Sequence, residues 1–493
     1  MFPNPVYSEH VLQHAYRDAQ AVLFEPMLDA HDAHAVMLAE CDVISAENAA
    51  ALLRAVAAIR AGGADAVAYE PGVEDLFFRI EAQIIDAAGA DFGGNLQLAR
   101  SRNDLGQALS RMALRRPILD LYADLLGLRA AVLAQAQRHL ETVMPGYTHT
   151  QPAQPVTFAH YLAGVLTFLE KDQARLARAY ANMNESPLGA AAFTGTGFPI
   201  DRARVAALLG FDRVIASTHH SIGAGDHFTD LAFALQSLAI GLGRMTHDLL
   251  NRATMEQGAL HIDDGFIQIS SIMPQKRNPV VLEHLRARLS RAAGYAQTVV
   301  LQCHNIPYGD TQDIEDEILP PVLHALDALH ECLTLYTAFF STLDLNAAHL
   351  RRQAAAGFTT ATELADALVR EAGLPFRQAH KIVATLVRNA VDAGIPAEEL
   401  TPAMLQDAAR GVIGREVALT DAQFAAALDP AAFVAVRTVE GGVAPQATGA
   451  VLATLTAQLE TADRAWLADA TARLAAADDA RRAAVAVFAG SSA

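Results

Sequence analysis

Two long seams of apolar residues constrain the fold of this 493-residue chain more than any other feature. From Leu231 to Leu249, and again from Leu319 to Phe340, large apolar side chains recur in steps that alternate between three and four residues. Each segment therefore carries a heptad pattern for three repeats, which predicts two long helices with a continuous packing stripe. Helices of this length with straight seams are typical of a helix bundle, in which the stripes form the core.

Three more helices are expected to complete the bundle. They are predicted at about 105–140, at about 156–184 and directly after Pro279. Pro117 lies inside the first of these and is expected to kink or restart it, because proline lacks the backbone N–H that the helix ladder needs. Shorter helices are predicted in the flanks, where residues 45–63 open on a Ser–Glu–Asn cap region and end on glycine.

The domain boundaries are inferred from where the long helices begin and end, since no tandem repeat or low-complexity linker divides the chain. The predicted fold class is all-α, with the long helices bundled at the centre and boundaries near residues 105 and 355. The domains are expected at residues 1–105, 106–355 and 356–493.

Composition argues against several classes of function. The 55 acidic residues outnumber the 37 basic ones and give a formal charge of −18, whereas a nucleic-acid surface needs a basic face. The cysteines Cys41, Cys303 and Cys332 lie far apart with no CxxC pair, which predicts reduced thiols and neither a disulfide framework nor a zinc site. We see no export signal and no run of about 18 apolar residues, so we expect a cytoplasmic protein without a membrane span.

The first polar segment that interrupts the helical background is ARSRNDLGQ, at the start of a long helix. Its Ser101, Arg102 and Asn103 place a hydroxyl, a guanidinium and an amide beside free helix N–H groups, which suits the binding of a carboxylate. The alternative is an ordinary helix cap, because Ser, Asn and Asp all cap helices. The residues alone leave both interpretations open.

The second polar segment is MPGYTHTQPAQPVTFAHYL, in which three prolines stiffen a loop before a helix. Thr148, His149, Gln151 and Gln154 crowd into this loop and would therefore have fixed directions. A lone histidine is more often structural than functional, but a histidine among a threonine and two glutamines favours neither interpretation.

The third polar segment, SSIMPQKRNP, runs from Ser270 to Pro279. Lys276 and Asn278 supply donors, and a helix N-terminus follows, so the segment suits the stabilisation of a developing negative charge. Ser270 or Ser271 could supply a hydroxyl for proton transfer. The preceding stretch contains a glycine and is mobile enough to act as a lid.

These motifs resemble a known superfamily. SSIMPQKRNP is similar to the signature SSxMPxKxNP of the fumarase/aspartase superfamily, whose members eliminate an amine or water from a succinyl group and release fumarate. RSRND, MPGYTHTQPAQP, PLGAAAFTGTGFPIDR, ATELADALVREAGLPFRQAHKIV and EGGVAP resemble the argininosuccinate lyase branch, in that order. The resemblance spans residues 75–445. It implies an all-α fold of three helical domains with a long central five-helix bundle. It also implies a homotetramer that pools four bundles, with each active site built from three chains.

The resemblance also implies catalytic roles. Ser270 would be the base that removes the C3 proton, and Lys276 and Asn278 would hold the adjacent carboxylate as the negative charge develops. His149 would pair with Glu283, and a negative neighbour keeps a histidine charged. No metal or organic cofactor is implied.

Further residues are implied to bind the substrate. Ser101, Arg102 and Asn103 would hold the succinyl carboxylates, with help from Thr148. The other expected substrate-binding residues are Gln151, Ser271, Met273, Asn278, Tyr308 and Gln312, of which Tyr308 and Gln312 would face the amine half.

The departures from the family pattern concern the amine half. Leu105 replaces a glutamine, Phe77 or Phe78 stands where the family has a histidine, and a WGGRF-like N-terminal segment and the SDRDF pattern near residues 217–228 are missing. The segment YGDTQDIEDE from Tyr308 to Glu317 lacks the lysine that would hold the α-carboxylate of an arginine half. Glutamate in its place reverses the attraction.

The sequence therefore predicts a carbon–nitrogen lyase that takes a small dicarboxylate substrate. The default is cleavage of argininosuccinate to fumarate and arginine, and the alternative is an aminopolycarboxylate lyase of the ethylenediamine-disuccinate type. A non-catalytic, crystallin-like helical scaffold belongs to a different class of function. Release of fumarate distinguishes the two enzymes from the scaffold.

Overall fold

A computed structural model describes residues 3–490 of the chain. The N-terminal region contains five helices, and its apolar core is formed by the second, third and fourth of them together with neighbouring segments. Ser45 caps α3 by accepting the N–H of Asn48, and Gly63 follows its last turn, as the sequence predicts. The helices are α1 (Pro5–Tyr7), α2 (Gln13–Glu40), α3 (Ala46–Gly62), α4 (Leu76–Ala88) and α5 (Ala90–Gly93).

The centre of the molecule is the predicted five-helix bundle, and its helices alternate in direction along the chain. Gln135 near the end of α6 donates to the carbonyl of Phe340 near the end of α12, and Cys303 at the end of α11 lies against Gly225 at the start of α10. The elements of this region are α6 (Arg102–Arg138), α7 (Phe158–Met183), α8 (Arg202–Leu208), α9 (Thr218–Gly223), α10 (Asp226–Arg252), α11 (Val280–Cys303) and α12 (Leu319–Thr342); the bundle itself is α6, α7, α10, α11 and α12.

Both heptad seams line the bundle core. Every seam residue from Leu231 to Leu249 is at most 2% exposed, and those of α12 from Leu319 to Phe340 are at most 6% exposed. The prediction of two long packed helices is therefore confirmed. Of the two outcomes expected at Pro117, a restart does not occur, because α6 continues through this residue, and a kink stays a prediction. The neighbouring side chains of Leu114 and Ile118 are buried, so this part of α6 is packed in the core although Pro117 lacks a backbone N–H.

The C-terminal part of the chain contributes to several cores. Residues 364–427 form a small core of their own, whereas Leu452, Leu455 and Leu474 belong to the bundle core. The three-domain division itself stays a prediction. The helices are α13 (Ala347–Ala355), α14 (Ala361–Arg370), α15 (Phe376–Asp392), α16 (Pro402–Ile413), α17 (Asp421–Leu428), α18 (Pro430–Ala435), α19 (Pro445–Ala457) and α20 (Arg464–Ala489).

Short strand pairs lie in the connections between helices. The longest is the antiparallel hairpin of β1 and β2, which carries Thr148 and precedes α7. The strands are β1 (Val143–Thr148), β2 (Gln151–Thr157), β3 (Glu185–Ser186), β4 (Arg213–Val214), β5 (Leu260–His261), β6 (Gln268–Ile269), β7 (Arg277–Asn278) and β8 (Asp344–Leu345). Among residues 3–490, no helix is long and apolar enough to cross a membrane.

The bundle has two ends that matter for function. We call the end at Arg102, Asp226 and Leu319 the proximal end. The opposite end, at Arg252 and Val280, is the distal end. The 27 residues of α10 join the two ends and span about 40 Å at 1.5 Å per residue.

Candidate active site

The RSRND segment begins α6 at the proximal end. Ser101 is the N-cap and accepts the backbone N–H of Asn103 at 3.3 Å, while Asp104 accepts the backbone N–H of Ser101 at 2.9 Å. Asp104 also accepts the N–H groups of Gly189 (2.9 Å) and Ala191 (3.0 Å). Burial raises the pKa of this carboxyl to about 6, although the N–H donors act in the opposite direction. The interactions of an ordinary helix cap are thus present. The Asp104 carboxylate also connects the loop of residues 187–192 to the start of α6.

One nitrogen of the Arg102 guanidinium is already paired with carboxylates within this chain. Its guanidinium donates to Asp75 at 2.6 Å, lies 3.4 Å from Glu74 and covers the ring of Phe78 at 4.7 Å. Asn103 directs its amide nitrogen to the carbonyl of Ala192 at 3.3 Å. The acidic partners of Arg102 come from the EDLFF stretch, where the sequence departs from the family pattern.

The 308–317 segment lies beside the same end of α6. Gln312 donates to Asp316 at 2.8 Å, so its amide is already engaged. The side chain of Glu315 lies near Gly106 on α6 and near Asp310. Burial, reinforced by the Asp310 carboxylate, raises the pKa of Glu315 to about 8. A proton is therefore held in this acidic cluster at neutral pH.

Tyr308 is 59% exposed, yet both ends of the residue are held. Its hydroxyl lies 2.5 Å from Nδ1 of His220, and its carbonyl lies 3.1 Å from Nε2 of His219. These two histidines are absent from the sequence-predicted site. The only signal for them was the unusual composition of residues 217–228, where the family pattern fails.

The THTQ segment forms the tip of the β1–β2 hairpin at the distal end. His149 and Thr150 have positive φ angles of 51° and 62°, the backbone shape of a tight two-residue hairpin turn. Thr148, His149 and Gln151 are all exposed there. The hairpin is anchored by Gln154, which donates to Thr362 of the C-terminal region at 3.0 Å.

The SSIMPQKRNP segment is also a hairpin, which the sequence did not predict. β6 pairs with β7, and residues 270–276 form the loop between them, in which Ser270 is half-buried and the residues from Ser271 onward are exposed. The Oγ of Ser270 accepts the backbone N–H groups of Met273 at 3.0 Å and Ile272 at 3.3 Å. Two donors directed at this oxygen favour negative charge on it.

The remaining groups of this segment are open to ligand. Ser271, Met273 and Lys276 are exposed on the loop, and Asn278 is half-buried in β7. The guanidinium of Arg277 forms an ion pair with Asp264 at 2.5 Å, which connects the end of the loop to the segment before it. Glu283 is exposed on the first turn of α11.

The predicted site residues therefore fall into two separate groups. Ser101, Arg102, Asn103, Tyr308 and Gln312 lie at the proximal end. The other group lies at the distal end, about 40 Å away along α10, and comprises Thr148, His149, Gln151, Ser270, Ser271, Met273, Lys276, Asn278 and Glu283. One chain does not bring the two groups together. Within residues 3–490, no group of three or more His, Cys, Asp or Glu side chains is placed to hold a metal ion.

Comparison with known protein families identifies the family of this chain. The family profile described as Lyase matches residues 8–294, and the profile described as Argininosuccinate lyase C-terminal matches residues 358–435. The chain belongs to this lyase family. It lies in the argininosuccinate lyase branch of the fumarase/aspartase superfamily and is a carbon–nitrogen lyase, as the sequence motifs predict.

Individual relatives agree with this assignment. Argininosuccinate lyase 2 of Agrobacterium fabrum is 37% identical over 448 residues, which cover 90% of this chain and 88% of the relative. Argininosuccinate lyase of Halobacterium salinarum is 39% identical over 438 residues, which cover 88% and 87%. Among solved structures, an EDDS lyase variant with bound fumarate has a TM-score of 0.88 and 32% identity, and the match covers 99% of this chain and 96% of that one. The all-α bundle fold is thus confirmed.

Proposed function

We propose that this protein eliminates fumarate from an N-substituted L-aspartate. The observation that carries the proposal is the geometry of Ser270. Its Oγ is held by two backbone N–H donors, on a loop that also carries Lys276 and leads directly to Asn278 in β7. Such donors stabilise an oxygen that carries negative charge, which a serine base needs. Relatives named argininosuccinate lyase and the EDDS lyase structures support the same class of reaction.

The proposed reaction begins with proton removal from C3 by Ser270. The negative charge that develops moves onto the adjacent carboxylate, where Lys276 and Asn278 stabilise it. Ser101, Arg102 and Asn103 bind the succinyl carboxylates with help from Thr148, and Gln151, Ser271 and Met273 lie around them. His149 and Glu283 form the expected ion pair that orients the reacting half.

The active site is proposed to form between subunits of a homotetramer. Each chain carries the proximal group of site residues at one end of its bundle and the distal group at the other end, about 40 Å away. Antiparallel association of bundles would bring the proximal end of one chain to the distal end of another. Exposed apolar residues on the bundle, such as Phe233 (54%) and Ile240 (56%), support packing of this kind.

Two observations favour different substrates. Argininosuccinate is the default, because the relatives named argininosuccinate lyase are 37% and 39% identical. An N-substituted aspartate of the kind cleaved by an EDDS lyase is the second candidate. It is favoured by the acidic 308–317 segment, which has no lysine or arginine for the distal α-carboxylate of argininosuccinate.

Release of fumarate, followed by its ultraviolet absorbance, tests the proposal. The purified protein is incubated with argininosuccinate, ethylenediamine-disuccinate and small N-alkyl aspartates. Fumarate from any of them supports the lyase. Absence of fumarate from all, and of amine addition to fumarate in the reverse direction, would favour the non-catalytic scaffold.

A further inference from the structure

The outward face of α10 carries a second seam, on the side of the helix opposite the residues that line the bundle core. Its members recur at helical spacing, so they share one face of the helix. They are exposed, whereas Ser237 in the middle of the same face is half-buried. We call this face the outer seam, and it consists of Asp226, Asp230, Phe233, Ile240, Arg244 and His247.

Two charged side chains of the outer seam, Asp230 and Arg244, are not neutralised within the chain. Asp230 accepts the amide of Asn182 at 2.9 Å, and an amide is a neutral partner. Arg244 forms no ion pair within residues 3–490. Asp248, one turn further along α10, instead accepts the hydroxyl of Tyr161 at 3.2 Å. The first half of the outer seam is therefore acidic and the second half is basic.

The outer seam mirrors itself about its midpoint, which lies between residues 236 and 237. The apolar side chains of Phe233 and Ile240 stand at equal distances on either side of this midpoint, and they are 54% and 56% exposed. Asp230 and Arg244 stand farther out, at distances that differ by one residue. A two-fold axis at the midpoint would thus set each residue opposite its mirror position in an antiparallel second copy, since an isologous interface pairs i with j and j with i.

The charges select the direction of the second copy. In an antiparallel pair Asp230 faces Arg244, and at the outermost positions Asp226 faces His247, each pairing occurring twice by symmetry. In a parallel pair Asp230 would face Asp230 and Arg244 would face Arg244, and like charges set opposite each other are costly at an interface. Only the antiparallel arrangement matches opposite charges while it covers the apolar centre.

We propose that α10 pairs antiparallel with α10 of a second copy of this chain through the outer seam, with the two-fold axis near residue 237. The inference deepens the proposed function, on which its catalytic consequence rests, by naming the surface and the register that join the two ends. In this register, residues 219–223, which contact Tyr308, lie level with the last turn of α10 in the second copy. The proximal group of one copy and the distal group of the other then lie at the same end of the pair.

Single cysteines along α10 test the register directly, because two cysteines form a disulfide only when their Cα atoms lie within about 7 Å of each other. Ser237→Cys lies beside the axis and should cross-link to the same residue of the second copy, which doubles the mass on a non-reducing gel after mild oxidation. Asp230→Cys and Arg244→Cys should each fail to self-link, since each lies about 10 Å from the axis and so about 20 Å from its own copy. An equal mixture of these two variants, unfolded and refolded together, should link.

The untreated background is set by the wild-type chain, which carries Cys41, Cys303 and Cys332. Wild-type protein oxidised in the same way should keep the mass of one chain on the gel. Thermal unfolding and light scattering of each reduced variant confirm that its fold and its oligomeric mass match those of the wild type.

Charge reversal tests the same pairing without a covalent link. Asp230→Arg sets two arginines opposite each other, and Arg244→Asp sets two aspartates opposite each other. Each change alone should raise the protein concentration at which the assembly half-dissociates by about tenfold or more. The double variant Asp230→Arg/Arg244→Asp restores opposite charges and should recover association. A mixture of the two single variants should also recover it, because both pairings between unlike copies are then attractive.

Three outcomes overturn the inference while leaving the proposed lyase intact. One is absence of a link at Ser237→Cys in a protein of wild-type fold and mass, and another is self-linking at Asp230→Cys. The third is a double reversal that associates no better than the single ones. The expected links without release of fumarate from any N-substituted aspartate would instead uphold the interface and overturn the proposed function.

Discussion

The Oγ of Ser270 accepts the backbone N–H of Met273 at 3.0 Å, which anchors the serine hydroxyl within its own loop. If this serine is the base, Ser270→Ala should lower kcat by about 10²-fold or more, because general-base catalysis acts only in the transition state. Fumarate affinity, measured by calorimetry, should stay nearly unchanged. A variant that keeps more than about a tenth of the wild-type kcat would place the base elsewhere.

Asp104 should stabilise the start of α6, where the succinyl carboxylates are proposed to bind. It accepts N–H groups from Ser101, Gly189 and Ala191, so Asp104→Ala leaves these donors without their partner. We expect the free energy of unfolding to fall by about 1–3 kcal/mol, and fumarate to bind more weakly. Asp120→Ala, on the exposed face of the same helix, is the control and should change neither quantity measurably.

Glu315 should make stability depend on pH. Burial and the Asp310 carboxylate raise its pKa to about 8 in the folded chain, against ~4.3 for an unperturbed glutamate. The folded state thus holds the proton more tightly, so its contribution to stability is fully present below ~4.3 and is lost as pH rises toward 8. Glu315→Gln, which resembles the protonated form, should gain stability relative to wild type over this range.

Denaturant unfolding at a series of pH values measures this effect. The relative gain of Glu315→Gln should reach ~1 kcal/mol or more, since one pKa unit corresponds to about 1.4 kcal/mol. Glu317→Gln, exposed on the same turn, is the matched control and should track wild type. A gain for Glu315→Gln that is independent of pH would contradict the buried, shared proton.

The acidic 308–317 segment should make argininosuccinate a poor substrate. Its distal α-carboxylate would approach Asp310, Asp316 and the Glu315 cluster without a cationic partner from the segment. An unpaired carboxylate in a closed site loses hydration at a cost of several kcal/mol. We expect kcat/KM for a simpler or differently charged N-substituted aspartate to exceed that for argininosuccinate. An advantage of tenfold or more for argininosuccinate would refute this prediction.

The sequence predicted the bundle well because helix periodicity is a local signal. The seams of α10 and α12, the cap at Ser45 and the start of α11 after Pro279 all depend on residues a few positions apart. Local rules could not decide between a kink and a restart at Pro117, because they do not include the packing of the buried neighbours Leu114 and Ile118.

The candidate site was predicted less completely, for the same physical reason. Motif residues such as Ser270 could be identified within one short segment. The contacts of Arg102 with Asp75 and of Tyr308 with His220 join segments 27 and 88 residues apart. Such pairings are set by how helices meet in space, and no local pattern in the sequence encodes them.

The central claim is that the active site combines the proximal end of one chain with the distal end of another. Light scattering should first give a mass about four times the 52.5 kDa of one chain. A mass near that of one chain would rule out a shared site.

Mixing two inactive variants tests the claim most directly. Asn103→Ala damages the proximal group, and Ser270→Ala damages the distal group. After the two proteins are unfolded together and refolded, mixed tetramers should contain some sites with both groups intact, and fumarate release should rise well above that of either parent. Ser270→Ala mixed with Lys276→Ala should not recover, because both lesions lie in the same loop. Absence of recovery in the first mixture, with tetramers formed and both parents folded, would contradict the shared site.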